Sequence, residues 1–347
     1  MPTQTRVVSD LEDAAAALRA GGLAVVPTET VFGLAADATN GDAVARIFDV
    51  KGRPRFNPLI AHAADAAAAW RLARPNDAAL TLAERFWPGP LTLVLPLADT
   101  ARLHPLATAG LDSVALRVAR GPMTSLAAML DRPLAAPSAN VSGRVSPTRI
   151  DHVLADLAPR LDPATDAILA GGTATVGVES TIVSLVGEAP VLLRPGGLAR
   201  AEIEAALGRS LIASAADGAV TAPGMLASHY APRGSVRLDA TRVEDGEFLI
   251  AFGPAAPPGR AIGTFQLSRT GDLAEAARNL FAALHAANAA GADRIAVQAI
   301  PRTGLGEAIN DRLRRASAPR DGGTTAAGCE RSVTARPAGS PTRNHPA

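Results

Sequence analysis

The sequence predicts a mixed α/β sheet followed by a smaller α/β unit of Rossmann-like character. Its 347 residues exceed one typical domain. Apolar runs of strand length alternate with segments of helical periodicity, and small residues dominate between Gly208 and Ser235. We therefore predict a first domain over 1–207, a linker that also acts as a lid over 208–235, a small α/β domain over 236–317 and a disordered tail over 318–347.

The predicted elements of the first domain follow one another closely. Ser9-Asp10-Leu11-Glu12 has the spacing of a capping box and begins an alanine-rich helix that ends at Gly21-Gly22. In residues 114–118 apolar side chains alternate with Ala115 and Arg117, which indicates a half-buried strand. Further helices are predicted over 42–50, 65–73, 77–87, 149–157 and 201–207, and further strands over 23–27, 59–61, 91–95, 134–137, 166–170, 181–186 and 191–194.

The second unit shows the same alternation on a smaller scale. Gly304-Leu305-Gly306 is too weak a glycine pattern to indicate a nucleotide site, and the start of a helix explains it better. The predicted strands cover 248–252, 262–267 and 295–300, and the predicted helices cover 272–290 and 306–316.

Composition excludes several classes of protein. With 34 basic and 33 acidic residues the net charge is +1, so no bulk attraction to nucleic acid is expected. A single cysteine, Cys329, excludes an internal disulfide and a cysteine-rich metal site. No apolar run approaches the ~20 residues of a membrane span, and Met1 to Asp10 lacks the apolar core of a signal peptide. We therefore predict a soluble, cytoplasmic protein without a membrane partner.

Two residue types occur only once in this chain. Lys51 is the only lysine among 34 basic residues, and Tyr230 is the only tyrosine. A lysine that survives where arginine supplies nearly all positive charge suggests a position that needs a compact ammonium. Chance retention is the alternative explanation.

Polar residues form four clusters that suit an anionic substrate. Cations and hydroxyls beside tight turns bind polyphosphates and carboxylates. No Walker-type loop, Gly-x-Ser-x-Gly turn or metal-ligand spacing of histidines is present, so the chemistry expected is positioning and charge neutralisation. Two acidic members, Glu29 and Glu179, have roles that the sequence leaves open. The clusters are 28–30, 51–57 with His62, 138–146, and 177–181 with Arg194.

Each cluster also has a structural explanation. Lys51 and Arg53 could form a solvated helix terminus, since cations favour helix C-termini. Ser138 and Asn140 could be simple turn formers. His62 could be a hydrogen-bonded packing residue beside an apolar strand. Considered one by one, these residues are compatible with both a structural and a binding role.

The motifs in these clusters resemble those of the YrdC-like threonylcarbamoyl-AMP synthases in their long, two-domain form. The most specific part is Lys51-Gly52-Arg53 followed by Ser138-Ala139-Asn140. Phe32, Ala35 and Ser113 depart from the family pattern. The resemblance spans about residues 8 to 317, in Pro27–Leu34, Lys51–Pro54, Asn57–Ile60, Pro137–Gly143, Gly177–Val183, Leu193–Gly196, Ser228–Pro232, Gly304–Gly306 and Ile309–Leu313.

This resemblance implies a twisted mixed sheet around a large cavity, over which the linker folds back. It implies a threonine side formed by Thr30, His62, Arg117, Ser138 and Ser180. It implies an ATP side formed by Lys51, Arg53, Asn57, Ser113, Ser146, Arg194 and Tyr230. Within these sets it implies catalytic roles for Lys51, Arg53, Ser138 and Asn140.

The reaction implied by the resemblance joins L-threonine, bicarbonate and ATP into threonylcarbamoyl-AMP and releases pyrophosphate. Mg²⁺ would arrive on the ATP phosphates, without metal ligands from the protein. A separate tRNA threonylcarbamoyl transferase would use the product, so direct tRNA binding is not required.

Two alternative functions are considered. One is an RNA-binding module of the same fold, against which the near-zero net charge and the 3% aromatic content argue. The other is a carbamoyltransferase for metallocentre maturation, against which the single cysteine argues.

Overall fold

A computed structural model describes residues 5–214 and 229–319 of the chain. Most of the predicted tail, from residue 320 onward, lies outside the described residues, as does part of the predicted lid, 215–228. Among the described residues, no helix has both the length and the apolar character that crossing a membrane requires.

Residues 5–214 form one mixed sheet with eleven strands. Its order is β1-β8-β2-β3-β7-β4-β6-β5-β9-β10-β11. Neighbours run both ways, since β6 is parallel to β4 and antiparallel to β5. The predicted mixed α/β sheet is therefore confirmed. The strands are β1 Val7–Val8, β2 Ala24–Val26, β3 Gly33–Asp37, β4 Ile60–His62, β5 Leu91–Pro96, β6 Ser113–Arg117, β7 Leu134–Ala135, β8 Ala167–Leu169, β9 Thr181–Ser184, β10 Val191–Arg194 and β11 Ile212–Ala213.

The helices of this part cover the sheet, and two of them, α5 and α6, were not predicted. Proline at the first helical position begins both, where its missing N–H costs nothing. The first helix is capped by Asp10, which accepts from the Glu12 N–H, and not by Ser9. The helices are α1 Leu11–Arg19, α2 Gly41–Lys51, α3 Ala66–Trp70, α4 Asp77–Phe86, α5 Pro105–Thr108, α6 Pro122–Leu130, α7 Ile150–Asp156 and α8 Arg200–Leu207.

The expectation that residues 114–118 form a half-buried strand is wrong. β6 lies between β4 and β5 and is buried on both faces. Leu116 packs in the core that includes α4 and α8, whereas Ala115 faces the other side together with Ile60. Since side chains alternate along a strand, Arg117 lies on the same face as Ala115. That second face carries the polar residues.

The remaining residues form a separate sheet of four parallel strands, ordered β12-β15-β13-β14. We call residues 235–317 the C-terminal unit. Three of its strands and both helices agree with the prediction, while β12 was not predicted. The elements are β12 Ser235–Arg237, β13 Glu247–Ala251, β14 Gly263–Gln266, α9 Leu273–Ala289, β15 Arg294–Val297 and α10 Leu305–Ser317.

The C-terminal unit packs directly on the first sheet's loops. Val31 and Val178 share a hydrophobic core with Phe281 of α9. Gly177 has φ +80°, and a Cβ there would lie 2.3 Å from the Cα of Arg278. Glycine is therefore required both by backbone conformation and by the close approach of α9. The loop that precedes β9 is thus packed against α9.

Candidate active site

A small cavity lies where the clusters meet. Its volume is about 50 Å³, enough for one or two water molecules. A groove of about 790 Å³ elsewhere contains none of the predicted site residues. Eight of the predicted side chains line the small cavity, namely Thr30, Arg53, His62, Arg117, Ser138, Ser180, Arg194 and Tyr230.

Arg117 is held on three sides. Its Nη1 donates to Thr30 Oγ1 at 3.0 Å, and its Nε donates to the Gly89 carbonyl at 3.1 Å. Its Nη2 lies 2.9 Å from Glu29 Oε2, and both side chains are buried. The Glu29 contact lacks hydrogen-bond geometry, so Nη2 keeps its donor capacity. Such a guanidinium can bind a carboxylate with two hydrogen bonds.

His62 lies beside Arg117, its register partner on the neighbouring strand. Burial, reinforced by the Arg117 charge, lowers the pKa of His62 to about 3. The imidazole is therefore neutral at neutral pH. Its buried Nδ1 has no hydrogen-bond partner within the described ranges, so it can bond to a polar group of a ligand.

Lys51 and Asn140 do not line the cavity and instead support the loop that carries Ser138. Lys51 Nζ donates to the carbonyls of Ser138 and Asn140, each at 2.5 Å. Asn140 Nδ2 donates to the carbonyls of Val141 and Arg144, each at 2.8 Å. Burial, with a contribution from Arg53, lowers the pKa of Lys51 well below its ordinary value.

The solvated-terminus explanation of Lys51 and Arg53 is wrong, because the two residues are only 2% and 8% exposed. Arg53 Nη2 donates to the Pro58 carbonyl at 2.9 Å. Burial lowers the pKa of Arg53 to about 10, which leaves it cationic at neutral pH.

Ser180 and Arg194 form the far wall of the cavity. Arg194 Nη2 donates to the Ser180 carbonyl at 2.9 Å and to Ser180 Oγ at 3.2 Å. Thr92 Oγ1 lies 2.7 Å from Ser180 Oγ and fixes the hydroxyl. Arg53 and Arg194 therefore place two buried guanidinium groups on one cavity, an arrangement that attracts a polyanion.

Tyr230 closes the cavity from the linker side. It is 1% exposed and has φ +62°, a conformation that non-glycine residues rarely adopt. Its ring contacts His229, Phe281 and the guanidinium of Arg312. The end of the predicted lid is thus packed against the C-terminal unit.

Besides Lys51, three predicted ATP-side residues lie outside the lining of this cavity. Ser113 is the first residue of β6, roughly 13 Å along the strand from Arg117. Asn57 is buried, and neither of its side-chain polar atoms has a partner in the described part of the chain. Ser146 donates to Glu179 at 2.6 Å.

Sequence reasoning missed Arg312, which reaches Glu179 from α10. Arg312 Nε donates to Glu179 Oε2 at 2.8 Å. A signal was available, because position 312 shares a helical face with the apolar residues Ile309, Leu313 and Ala316. An arginine at the buried spacing of a helix indicates a buried partner.

No group of three His, Cys, Asp or Glu side chains suited to a metal ion occurs in residues 5–214 and 229–319. The groups that do converge on the cavity are guanidinium, hydroxyl, imidazole and carboxylate groups. This donor set fits a carboxylate and a polyphosphate, including a metal ion that such a ligand brings with it.

Two family models together match most of the chain. The model described as Telomere recombination matches residues 16–196. The model described as Threonylcarbamoyl-AMP synthase, C-terminal domain, matches residues 198–318. The chain belongs to the threonylcarbamoyl-AMP synthase family. The resemblance in the sequence motifs is thereby confirmed.

Members of this family match over nearly their full length. The threonylcarbamoyl-AMP synthase of Pyrococcus abyssi is 42% identical over 88% of this chain and 93% of its own. That of Bacillus subtilis is 38% identical over 89% of this chain and 93% of its own. A crystal structure of P. abyssi Sua5 complexed with L-threonine aligns with a TM-score of 0.81 at 38% identity, covering 91% and 98% of the two chains.

Proposed function

We propose that this chain is a threonylcarbamoyl-AMP synthase that acts as a nucleotidyltransferase on L-threonine, bicarbonate and ATP. One observation carries the proposal: the cavity joins the Arg117–Thr30 pair to the buried guanidinium groups of Arg53 and Arg194. An amino-acid carboxylate and a polyphosphate can therefore bind side by side. L-threonine is the ligand in the structure of the P. abyssi relative.

The threonine side supplies both charge and hydrogen bonds. Arg117 would bind the carboxylate through Nη2, which still has hydrogen-bond donor capacity. The charge of Glu29 would hold the guanidinium in place. The neutral ring of His62 and the hydroxyls of Thr30 and Ser180 would bind the threonine hydroxyl and the carbamate oxygens. These contacts would also orient the amine.

The reaction then has two steps. The threonine amine attacks the carbon of CO₂ and loses a proton, or attacks bicarbonate, whose C–O bond breaks with loss of water; either route gives an N-carboxylate. A carboxylate oxygen attacks the α-phosphorus of ATP, and the bond to the bridging oxygen of the β-phosphate breaks to release pyrophosphate. Arg53 and Arg194 would neutralise the charge that develops on the phosphates, while Mg²⁺ belongs to the ATP substrate.

The cavity of the described arrangement is small and has to widen for substrates to enter. A volume of about 50 Å³ is smaller than L-threonine or ATP. Because Tyr230 and His229 line the cavity, their displacement would create the space. Closure over the bound substrates would exclude the water that hydrolyses an acyl phosphate.

The product is a mixed carbamic–phosphoric anhydride, which needs an acceptor nucleophile. We propose that a separate transferase passes the threonylcarbamoyl group to an adenosine of tRNA. The name of the relatives, threonylcarbamoyl-AMP synthase, gives the activated intermediate that such a transferase would consume.

Pyrophosphate release tests the function directly. Release should require L-threonine, bicarbonate and ATP together, and mass spectrometry should detect threonylcarbamoyl-AMP. Arg117→Met should abolish the pyrophosphate release that depends on L-threonine. Arg71→Met, which removes an exposed ion pair with Asp131, should leave that release intact. Equal release with and without L-threonine would refute the proposal.

A further inference from the structure

A side chain of the C-terminal unit enters the wall of the cavity. Arg312, on α10, has no exposed surface. Besides Glu179 at 2.8 Å, its guanidinium donates from Nη1 to the Pro195 carbonyl and to Asp311 Oδ2, each at 2.8 Å. Glu179 lines the cavity, whereas Arg312 lies behind it. Arg312 thus acts on the cavity only through its neighbours.

Glu179 is fixed at both carboxylate oxygens. Oε1 accepts from Ser146 Oγ at 2.6 Å, and Oε2 accepts from Arg312 Nε. Burial opposes ionisation, but the charges of Arg312 and Arg194 outweigh it and lower the pKa of Glu179 below its ordinary value. The cavity proposed to bind a triphosphate therefore carries a carboxylate in its own wall.

An uncompensated carboxylate at this position would repel the substrate. The guanidinium of Arg312 supplies the missing compensation, and its Cζ lies over the Tyr230 ring, 5.2 Å from the ring centre. The charge of Asp311 is not balanced by Arg312 alone, because Arg314 and Arg315 also form ion pairs with it. Removal of Arg312 would consequently leave Glu179, rather than Asp311, without its main counter-charge.

We infer that Arg312 is a positioning residue for ATP: it neutralises Glu179 in the cavity wall and holds Tyr230 against the cavity. The C-terminal unit then completes the nucleotide half of the site rather than only bracing the first sheet. The inference rests on the proposed function for the identity of the polyanion. L-threonine carries no net charge, so its binding should depend far less on this compensation.

The test separates charge compensation from general docking of the two units. Arg312→Met should raise KM for ATP roughly tenfold or more, while KM for L-threonine changes less than about threefold. The matched control is Arg200→Met, which removes a second ion pair across this interface, with Glu307 at 2.7 Å. The side-chain hydrogen bonds of Arg200 go to Glu307 and to the Leu211 carbonyl, neither of which lines the cavity. The control should leave both constants near those of the unaltered protein.

A second substitution tests the mechanism itself. Glu179→Gln in the Arg312→Met background removes the uncompensated charge, so the double variant should bind ATP more tightly than Arg312→Met alone. If Arg312→Met does not fold, the double variant and Arg312→Lys, which retains the charge, provide the comparison. Equal losses in Arg312→Met and Arg200→Met, or no recovery in the double variant, would overturn the inference.

The two proposals fail separately. Calorimetric binding of a non-hydrolysable ATP analogue to the full chain reports on Arg312 without catalysis. Absence of threonine-dependent pyrophosphate release in the unaltered protein refutes the proposed function. An unchanged analogue affinity in Arg312→Met refutes the positioning role, whatever the activity.

Discussion

Glu29 Oε2 lies 2.9 Å from Arg117 Nη2, and both side chains are buried. Glu29 itself does not line the cavity, while Arg117 does. The carboxylate therefore orients the guanidinium from behind. This contact assigns a structural role to Glu29, whose function the sequence left open.

Glu29→Gln should weaken threonine binding without affecting ATP binding. The substitution keeps the side-chain shape but removes the charge that orients Arg117, so KM for L-threonine should rise roughly tenfold. Steady-state pyrophosphate release measures both constants. Asp131→Asn, which disrupts only the exposed pair with Arg71, should change neither. A parallel rise in both KM values would argue against a role confined to threonine.

Lys51 should not tolerate replacement by either alanine or arginine. Lys51→Ala removes the two donors that hold the Ser138 and Asn140 carbonyls, and turnover should fall on the order of a hundredfold, or ~3 kcal/mol. Lys51→Arg keeps the charge, but the planar group is too large for carbonyls 2.5 Å from Nζ.

The same assay checks both Lys51 variants, with circular dichroism as the control for folding. Near-normal turnover of Lys51→Ala in a folded protein would show that the loop holds its conformation without the ammonium.

Threonine should be strongly preferred over valine, which has nearly the same shape but no hydroxyl. His62 Nδ1 is buried without a partner among the described residues, and Thr30 Oγ1 faces the same cavity. Valine would leave His62 Nδ1 unpaired, a penalty of about 1–3 kcal/mol for a buried polar group. Competition experiments that yield kcat/KM for both amino acids measure the preference. Similar values would indicate a general amino-acid carboxylate site.

Acid should weaken the contact between α7 and α9. The rings of His152 and His285 stack there with centroids 3.8 Å apart. Burial, with a contribution from His285, lowers the pKa of His152 to about 3, and burial also lowers the pKa of His285. In the unfolded chain histidine titrates near pH 6.5. Between pH 6.5 and 3 the unfolded state therefore binds more protons, and stability falls as the pH falls.

His152→Phe keeps the ring contact and removes the titration. Between pH 7 and pH 5 the variant should lose roughly 1–2 kcal/mol less unfolding free energy than the unaltered protein. Urea unfolding at the two pH values measures the difference. An identical loss in both proteins would mean that His152 titrates normally in the folded state.

Local patterns in the sequence were sufficient for both helices and three of the four described strands of the C-terminal unit. Helices α9 and α10 and strand β13 lie within one or two residues of their predicted bounds, because hydrophobic periodicity and glycine or aspartate at helix starts are local signals. Strand β3 was missed because Gly33 to Asp37 contains only one strongly apolar residue, Leu34, and no β-branched residue. Tertiary burial between β2 and β7 overrides that weak propensity.

Within the candidate site, the sequence by itself identified the segments that meet, and the single lysine and single tyrosine drew attention to positions 51 and 230. Only the tertiary structure decided what these groups contact. Lys51 bonds to carbonyls 87 and 89 residues away, and Arg312 reaches a carboxylate 133 residues away. Hydrophobic periodicity and motif spacing report only on residues that are close in sequence. Contacts between residues far apart in sequence depend on strand order and on how α10 packs against the first sheet.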